Sequence, residues 1–100
     1  MIQLSDWVDG VNSLTNHPKS KMKIYNDYEE YYTIIVNYEE VVNDYNVVLS
    51  NKYNDFIYTD FLDAEDFNQA KFRARKKVQD YFIRESMFYE SISYKLEKGE

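Results

Sequence analysis

Residues 26–66 read NDYEEYYTIIVNYEEVVNDYNVVLSNKYNDFIYTDFLDAED, and the fold class turns on this stretch. Its centre, Tyr31–Tyr38, is a run of β-branched and aromatic residues with too few polar breaks for a surface helix, and it predicts a strand. Working outward, Lys21–Asn26 predicts the preceding strand. Tyr28-Glu29-Glu30 would form the turn between the two, without the usual Asn-Gly signature. On the other side, Val41, Val42, Tyr45, Val48 and Leu49 fit a helical stripe. Val41, Tyr45, Val47 and Leu49 also fit strand alternation, with only Asn43 out of place. Val, Tyr, Asn and Asp are poor helix formers, so a strand at Tyr45–Leu49 is the preferred reading, with a helix over 41–50 as the alternative. Ser50–Asn54 is polar and turn-like, and Asp55–Thr59 predicts a fourth strand.

The flanks read as helices. Asp63 is a good N-cap, with Glu65 and Asp66 in the first turn, where carboxylates are favoured. Phe67, Ala70, Ala74, Val78, Tyr81 and Phe82 follow at helical spacing, which predicts a helix to Ile83. The stripe extends through Phe88 and Tyr89 to Ile92 and Leu96, with Ser86 as a candidate break. Ser91–Leu96 also alternates, so a terminal strand stays open, and Lys95–Glu100 is expected to fray. At the other end, Leu4, Trp7, Val8, Val11 and Leu14 predict a short helix over residues 4–15. Ser5 would be its N-cap, Gly10 would weaken it by up to ~1 kcal/mol, and Asn16-His17-Pro18 would end it. The prediction is one α+β domain over residues 1–100. It has a short N-terminal helix, an antiparallel sheet of three to four strands and a long C-terminal helix packed on the sheet.

Size and composition narrow the function. One hundred residues make one domain, able to bury roughly two-thirds of its unfolded surface without staples. There is no cysteine, which excludes disulfides, thiolate chemistry and cysteine-ligated zinc. At 44% hydrophobic and 18% aromatic the chain is too apolar to be disordered. No apolar run approaches the ~20 residues that span a bilayer, and MIQLSDWVDGV lacks the pattern of a secretory signal. The expected location is the cytoplasm, with no membrane partner. Frequent Asn, Tyr, Ile and Lys, with scarce Gly, Pro, Ala and Arg, suggest an AT-rich genome, that of a low-GC bacterium or its phage.

The net charge is −6, whereas residues 26–66 carry eleven carboxylates against the single cation Lys52, a formal −10. The flanks are therefore net positive. Phosphate binding needs clustered cations, so the overall charge argues against a nucleic-acid binder. It favours a partner with a basic surface.

Candidate catalytic groups are few. His17 is the single histidine and precedes Pro18 in a loop, without the partners of a nucleophile triad. Adjacent glutamates such as Glu29-Glu30 and Glu39-Glu40 point to opposite faces of a strand and make no acid–base dyad. Asp60, Asp63, Glu65 and Asp66 are hard-cation donors by type, but lack the glycine and closing glutamate of an EF-hand. With Gly10 and Gly99 the only glycines, no phosphate loop exists. No catalytic residue, metal or cofactor is assigned. Lys71, Arg73, Arg75, Lys76, Lys77 and Arg84 form a basic face on the long helix. It reads either as a solvated face balancing the acidic sheet or as a weak nucleic-acid contact.

The informative feature is the acidic, tyrosine-rich middle. Carboxylates at i and i+2 on a strand lie ~6.5–7 Å apart on one face, a pitch that suits successive lysines or arginines. Tyrosine adds rigid contact area with a polar tip. In the clusters Asp27/Glu29/Glu30, Glu39/Glu40/Asp44 and Asp60/Asp63/Glu65/Asp66, the middle of the chain resembles small phage-encoded inhibitors, including anti-CRISPR and anti-restriction proteins. The resemblance is one of composition, and the basic helix departs from it. It implies a non-enzymatic protein that occupies a basic, nucleic-acid-binding surface of a host or defence protein such as a CRISPR effector. The expected contact residues are Asp27, Glu29, Glu30, Tyr32, Glu39, Glu40, Asp44, Asp60 and Asp63. The rival expectation is an assembly module that forms a homodimer through exposed aromatics or a sheet edge.

Overall fold

The computed structural model describes residues 1–98. In chain order its elements are β1 (Ile2–Leu4), β2 (Val8–Val11), β3 (Pro18–Asn26), β4 (Glu29–Glu39), β5 (Asp44–Asn51), β6 (Phe56–Phe61) and α1 (Phe67–Lys98). All these strands join one antiparallel sheet in the order β1-β3-β4-β5-β6, with β2 also paired to β3. The expected α+β arrangement of an antiparallel sheet and a long C-terminal helix is met. The count of three to four strands is corrected to six.

The expected N-terminal helix is replaced by two short strands. Ile2–Leu4 pairs with Ile24–Asn26, and Val8–Val11 pairs with Pro18–Lys21, along one edge of β3. Between them the chain bends, and Trp7 packs against the core. Ser5, expected as an N-cap, bridges the bend instead. Its N–H donates to the Lys23 carbonyl at 2.9 Å, and its Oγ accepts the Lys23 N–H at 2.8 Å. The helical spacing of Leu4, Trp7, Val8 and Val11 finds no buried face in the strands: only Trp7 reaches the core, and Leu4, Val8 and Val11 stay exposed. The long β3 edge would otherwise be left without backbone partners.

The middle of the chain follows its β-propensity, and β4 and β5 contain the predicted strands Tyr31–Tyr38 and Tyr45–Leu49. The β3–β4 turn is Asp27-Tyr28, not Tyr28–Glu30, and both residues have left-handed backbones at φ 51° and 68°. That is the two-residue reversal that matches strand twist. Glu29 and Glu30 therefore belong to β4.

One face of the sheet is apolar. Met22 stands opposite Ile34, Ile34 opposite Leu49, and Val36 opposite Val47. Ala70, Ala74 and Val78 of α1 and Leu62 complete this buried core. The alanines let the helix backbone approach the sheet closely. Edge-to-face Tyr32–Phe82 at 4.9 Å, stacked Tyr58–Tyr81 at 5.0 Å and Tyr45–Phe67 at 5.9 Å ring the core.

Asp66 rather than Asp63 caps α1. Its Oδ1 accepts the Gln69 N–H at 2.7 Å, and the Gln69 Oε1 reaches back to accept the N–H of the preceding residue, Glu65, at 2.7 Å. Glu65 and Asp66 thus precede the first turn. Asp63, at φ 49°, turns the chain after Leu62 has entered the core. The helix runs through Ser86 without a break, so residues 91–96 are helix and not strand. Lys95–Lys98, expected to fray, are helical, and 99–100 lie outside the described residues. At 32 residues, about 48 Å, α1 outruns the sheet and leaves Ile83 and the residues beyond it without a sheet beneath them.

Candidate functional site

The predicted contact residues fall into separate groups. The eleven residues of β4 span about 35 Å and hold two of these groups apart. At the β3–β4 turn, each carboxylate has its own cation. The Met1 ammonium lies 2.6 Å from Asp27, Lys52 lies 3.2 Å from Glu29, and Lys23 lies 3.4 Å from Glu30. The Thr33 hydroxyl donates to Glu30 at 2.9 Å. Lys52 also stands over the Tyr31 ring at 4.5 Å, and its hydrogen bond to Glu29 holds its pKa above the usual lysine range. The three carboxylates of this turn are thus matched by three cations.

Tyr32 lies on the helix side of β4, half-buried against Phe82. Asp60 stands on β6 and receives the Lys77 ammonium at 2.6 Å and the Tyr58 hydroxyl at 3.3 Å. The hydrogen bond from Lys77 holds its carboxyl below the ordinary range, against the opposing effect of burial. These two residues tie sheet to helix.

The opposite end differs. Here the β4–β5 turn meets the strap between β6 and α1, and the join is made by Asp44. Burial pushes the Asp44 carboxyl up, but backbone N–H donors from Ala64, Asp63 and Tyr45 at 2.7–3.1 Å, with the field of Arg73, outweigh it and hold the group low. The Leu62 N–H donates to the Tyr45 carbonyl at 2.9 Å. Asp44 stands opposite Glu39 in the sheet and fastens Asp63 beside it, so Glu39, Glu40, Asp63, Glu65 and Asp66, all exposed, lie toward the same end of the molecule, with Glu39 on the sheet face away from the helix beside Asn46. Among the described residues none of these five is ion-paired to a lysine or arginine. Their polar contacts are few: Asn46 donates to Glu39 at 3.3 Å, His17 Nε2 stands 3.8 Å from Glu40, and Asp66 caps the helix. No three of the described carboxylate or imidazole groups converge as a metal site.

The basic face of α1 is partly consumed by packing. Lys71 reaches Asp9 at 3.0 Å, Lys77 reaches Asp60, and Arg73 donates to the carbonyls of Leu62 and Asp63. Asp9 also accepts the Ser20 hydroxyl at 2.6 Å, and that bond, followed by the one from Lys71, holds its carboxyl low. Asp9 was invisible as an anchor in the sequence, because its helix partner lies 62 residues away. Glu65 and Asp66 carried a visible signal, the preference of carboxylates for helix starts, which does not tell that they lie at the same end of the sheet as Glu39 and Glu40.

Among the described residues no helix is long and apolar enough to cross a membrane. Against known protein families, curated proteins and solved structures, the chain matches none.

Proposed function

We propose that this chain is a non-enzymatic binding protein that docks its acidic end on a basic surface of another protein. The mode is that of the small phage-encoded inhibitors that occupy nucleic-acid-binding sites. One observation carries the reading: Glu39, Glu40, Asp63, Glu65 and Asp66 lie toward one end of the fold without lysine or arginine partners, whereas Asp9, Asp27, Glu29, Glu30 and Asp60 are each paired with a cation. Clustered like charge repels itself, and a cationic partner relieves that repulsion while steering the encounter. The contact is accordingly narrower than residues 26–66, with Asp27, Glu29 and Glu30 outside it. A second reading, self-association, is favoured by the exposed apolar side chains of α1.

The test is a pull-down from a lysate of an AT-rich bacterium, eluted by rising salt and identified by mass spectrometry. Glu39→Lys/Glu40→Lys/Glu65→Lys abolishes capture of the salt-eluted protein. Asp27→Lys/Glu29→Lys/Glu30→Lys at the β3–β4 turn retains it. Capture that survives the first substitution set, or fails equally with both, rejects the acidic end as the contact.

A further inference from the structure

Phe72, Ile83, Met87 and Tyr94 of α1 are exposed at 69%, 51%, 63% and 58%. At 3.6 residues per turn they fall on one stripe, with Lys76, Gln79 and Glu90 filling the steps of three and four between them. Ala70, Ala74 and Val78, which face the sheet, lie on the other side of the helix. The outward face of a helix packed on a sheet is ordinarily polar; this one presents four large apolar side chains and one charge of each sign.

The stripe is complementary to itself when reversed. The helix extends from Phe67 to Lys98, so its midpoint lies beside Ile83. A second helix laid antiparallel about Ile83 sets Ile83 against Ile83, Gln79 against Met87, Lys76 against Glu90 and Phe72 against Tyr94. We propose that a second copy of this chain occupies the stripe in this register, as a two-fold symmetric antiparallel helix pair. The Lys76–Glu90 pairing occurs twice, once on each side of the axis, and neither residue has an ion-pair partner in its own chain among the described residues. A parallel pair would set Lys76 on Lys76 and Glu90 on Glu90. A register shifted by one turn would separate the charges and shorten the overlap. Four aromatic rings of ~150–250 Å² each, more than half exposed, with the Ile83 and Met87 pairs, bring the buried area to the order of 1,000 Å², the lower bound for a specific interface. Tyr89, Ile92 and Leu96 lie on the same side of the helix as Ala70, Ala74 and Val78, past the end of the sheet, and take no part. Both acidic ends, at the helix N-termini, remain free, so the pairing stands independently of the docking reading.

Sedimentation velocity over a concentration series tests it. The wild-type chain dimerises. Lys76→Glu and Glu90→Lys, both at exposed positions, each weaken the dimer at least about tenfold with an unchanged circular dichroism spectrum. Mixing the two single variants restores association as a heterodimer, because the two glutamates of one chain then face the two lysines of the other. The double variant restores the homodimer. A wild-type chain that stays monomeric throughout overturns the proposal, as does a dimer that ignores the single changes or a charge swap that fails to restore it.

Discussion

Tyr28 holds a left-handed backbone at φ 68°, in a turn with no glycine. Asn16, Asn43 and Asn54 share that conformation, and asparagine tolerates it because its side chain bonds locally. A tyrosine does not, and the left-handed state costs an L-residue roughly 1–2 kcal/mol, partly offset by the greater entropy a glycine would lose. Tyr28 is 89% exposed, so its ring supplies little packing in return. Tyr28→Gly is expected to stabilise the fold by about 0.5–1 kcal/mol, read as a higher urea midpoint with an unchanged slope. The turn at Asn54 was legible in the sequence, as part of the polar stretch Ser50–Asn54. The Asp27-Tyr28 turn was not, because a tyrosine does not announce a positive φ, and it is imposed by the register between β3 and β4.

At the scale of elements, α1 sits on β4 and β5 through side chains that are almost absent. Ala70 and Ala74 are fully buried between helix and sheet. Ala74→Leu adds three carbons where Val36, Val47 and Leu49 already fill the space. It is expected to cost about 1–3 kcal/mol in chemical denaturation. The helical stripe of Phe67, Ala70, Ala74 and Val78 was readable because helix periodicity is local. So was the strand at Tyr31–Tyr38, whose β-branched run is disfavoured in a surface helix. The N-terminal segment reads as a helix because the spacing of Leu4, Trp7, Val8 and Val11 is a local pattern, whereas in the fold Leu4, Val8 and Val11 are exposed and the backbone is held by pairing with β3. Only the presence of β3 alongside decides the outcome.

For the whole molecule, Asp9, Asp44 and Asp60 fasten β2, the strap after β6, and β6 to the rest of the fold, and all three are held below their ordinary pKa of 3.8. In the unfolded chain they return to that value, so the unfolded state takes up protons first. Their contribution to stability is complete above pH 3.8 and is lost as pH falls through the lower folded values. Lys77 has the opposite sign. Its hydrogen bond to Asp60 raises it above 10.5, so its contribution is complete below that pH and is lost as pH climbs through the folded value. Urea unfolding over a pH series is expected to show level stability around neutrality with a fall at each extreme. Asp44→Asn, which weakens an acceptor of three backbone N–H groups, is expected to cost about 1–2 kcal/mol at neutral pH and to flatten the acid limb. An acid limb as steep as that of the unsubstituted chain would show that Asp44 does not carry it.

By itself, the sequence determined the class of the fold, the strands at its centre, the helix at its end and the concentration of negative charge between residues 26 and 66. Each is written in composition or in a period of two or 3.6 residues, which neighbours along the chain can express. The tertiary structure alone decided which carboxylates share an end of the molecule. A strand of eleven residues carries Glu30 and Glu39 to opposite ends of the sheet, while Asp44 fastens the strap that carries Asp63, Glu65 and Asp66 at the end where Glu39 and Glu40 lie. Proximity of that kind comes from strand register and from one capped strap, contacts between residues far apart in the chain that no local pattern encodes.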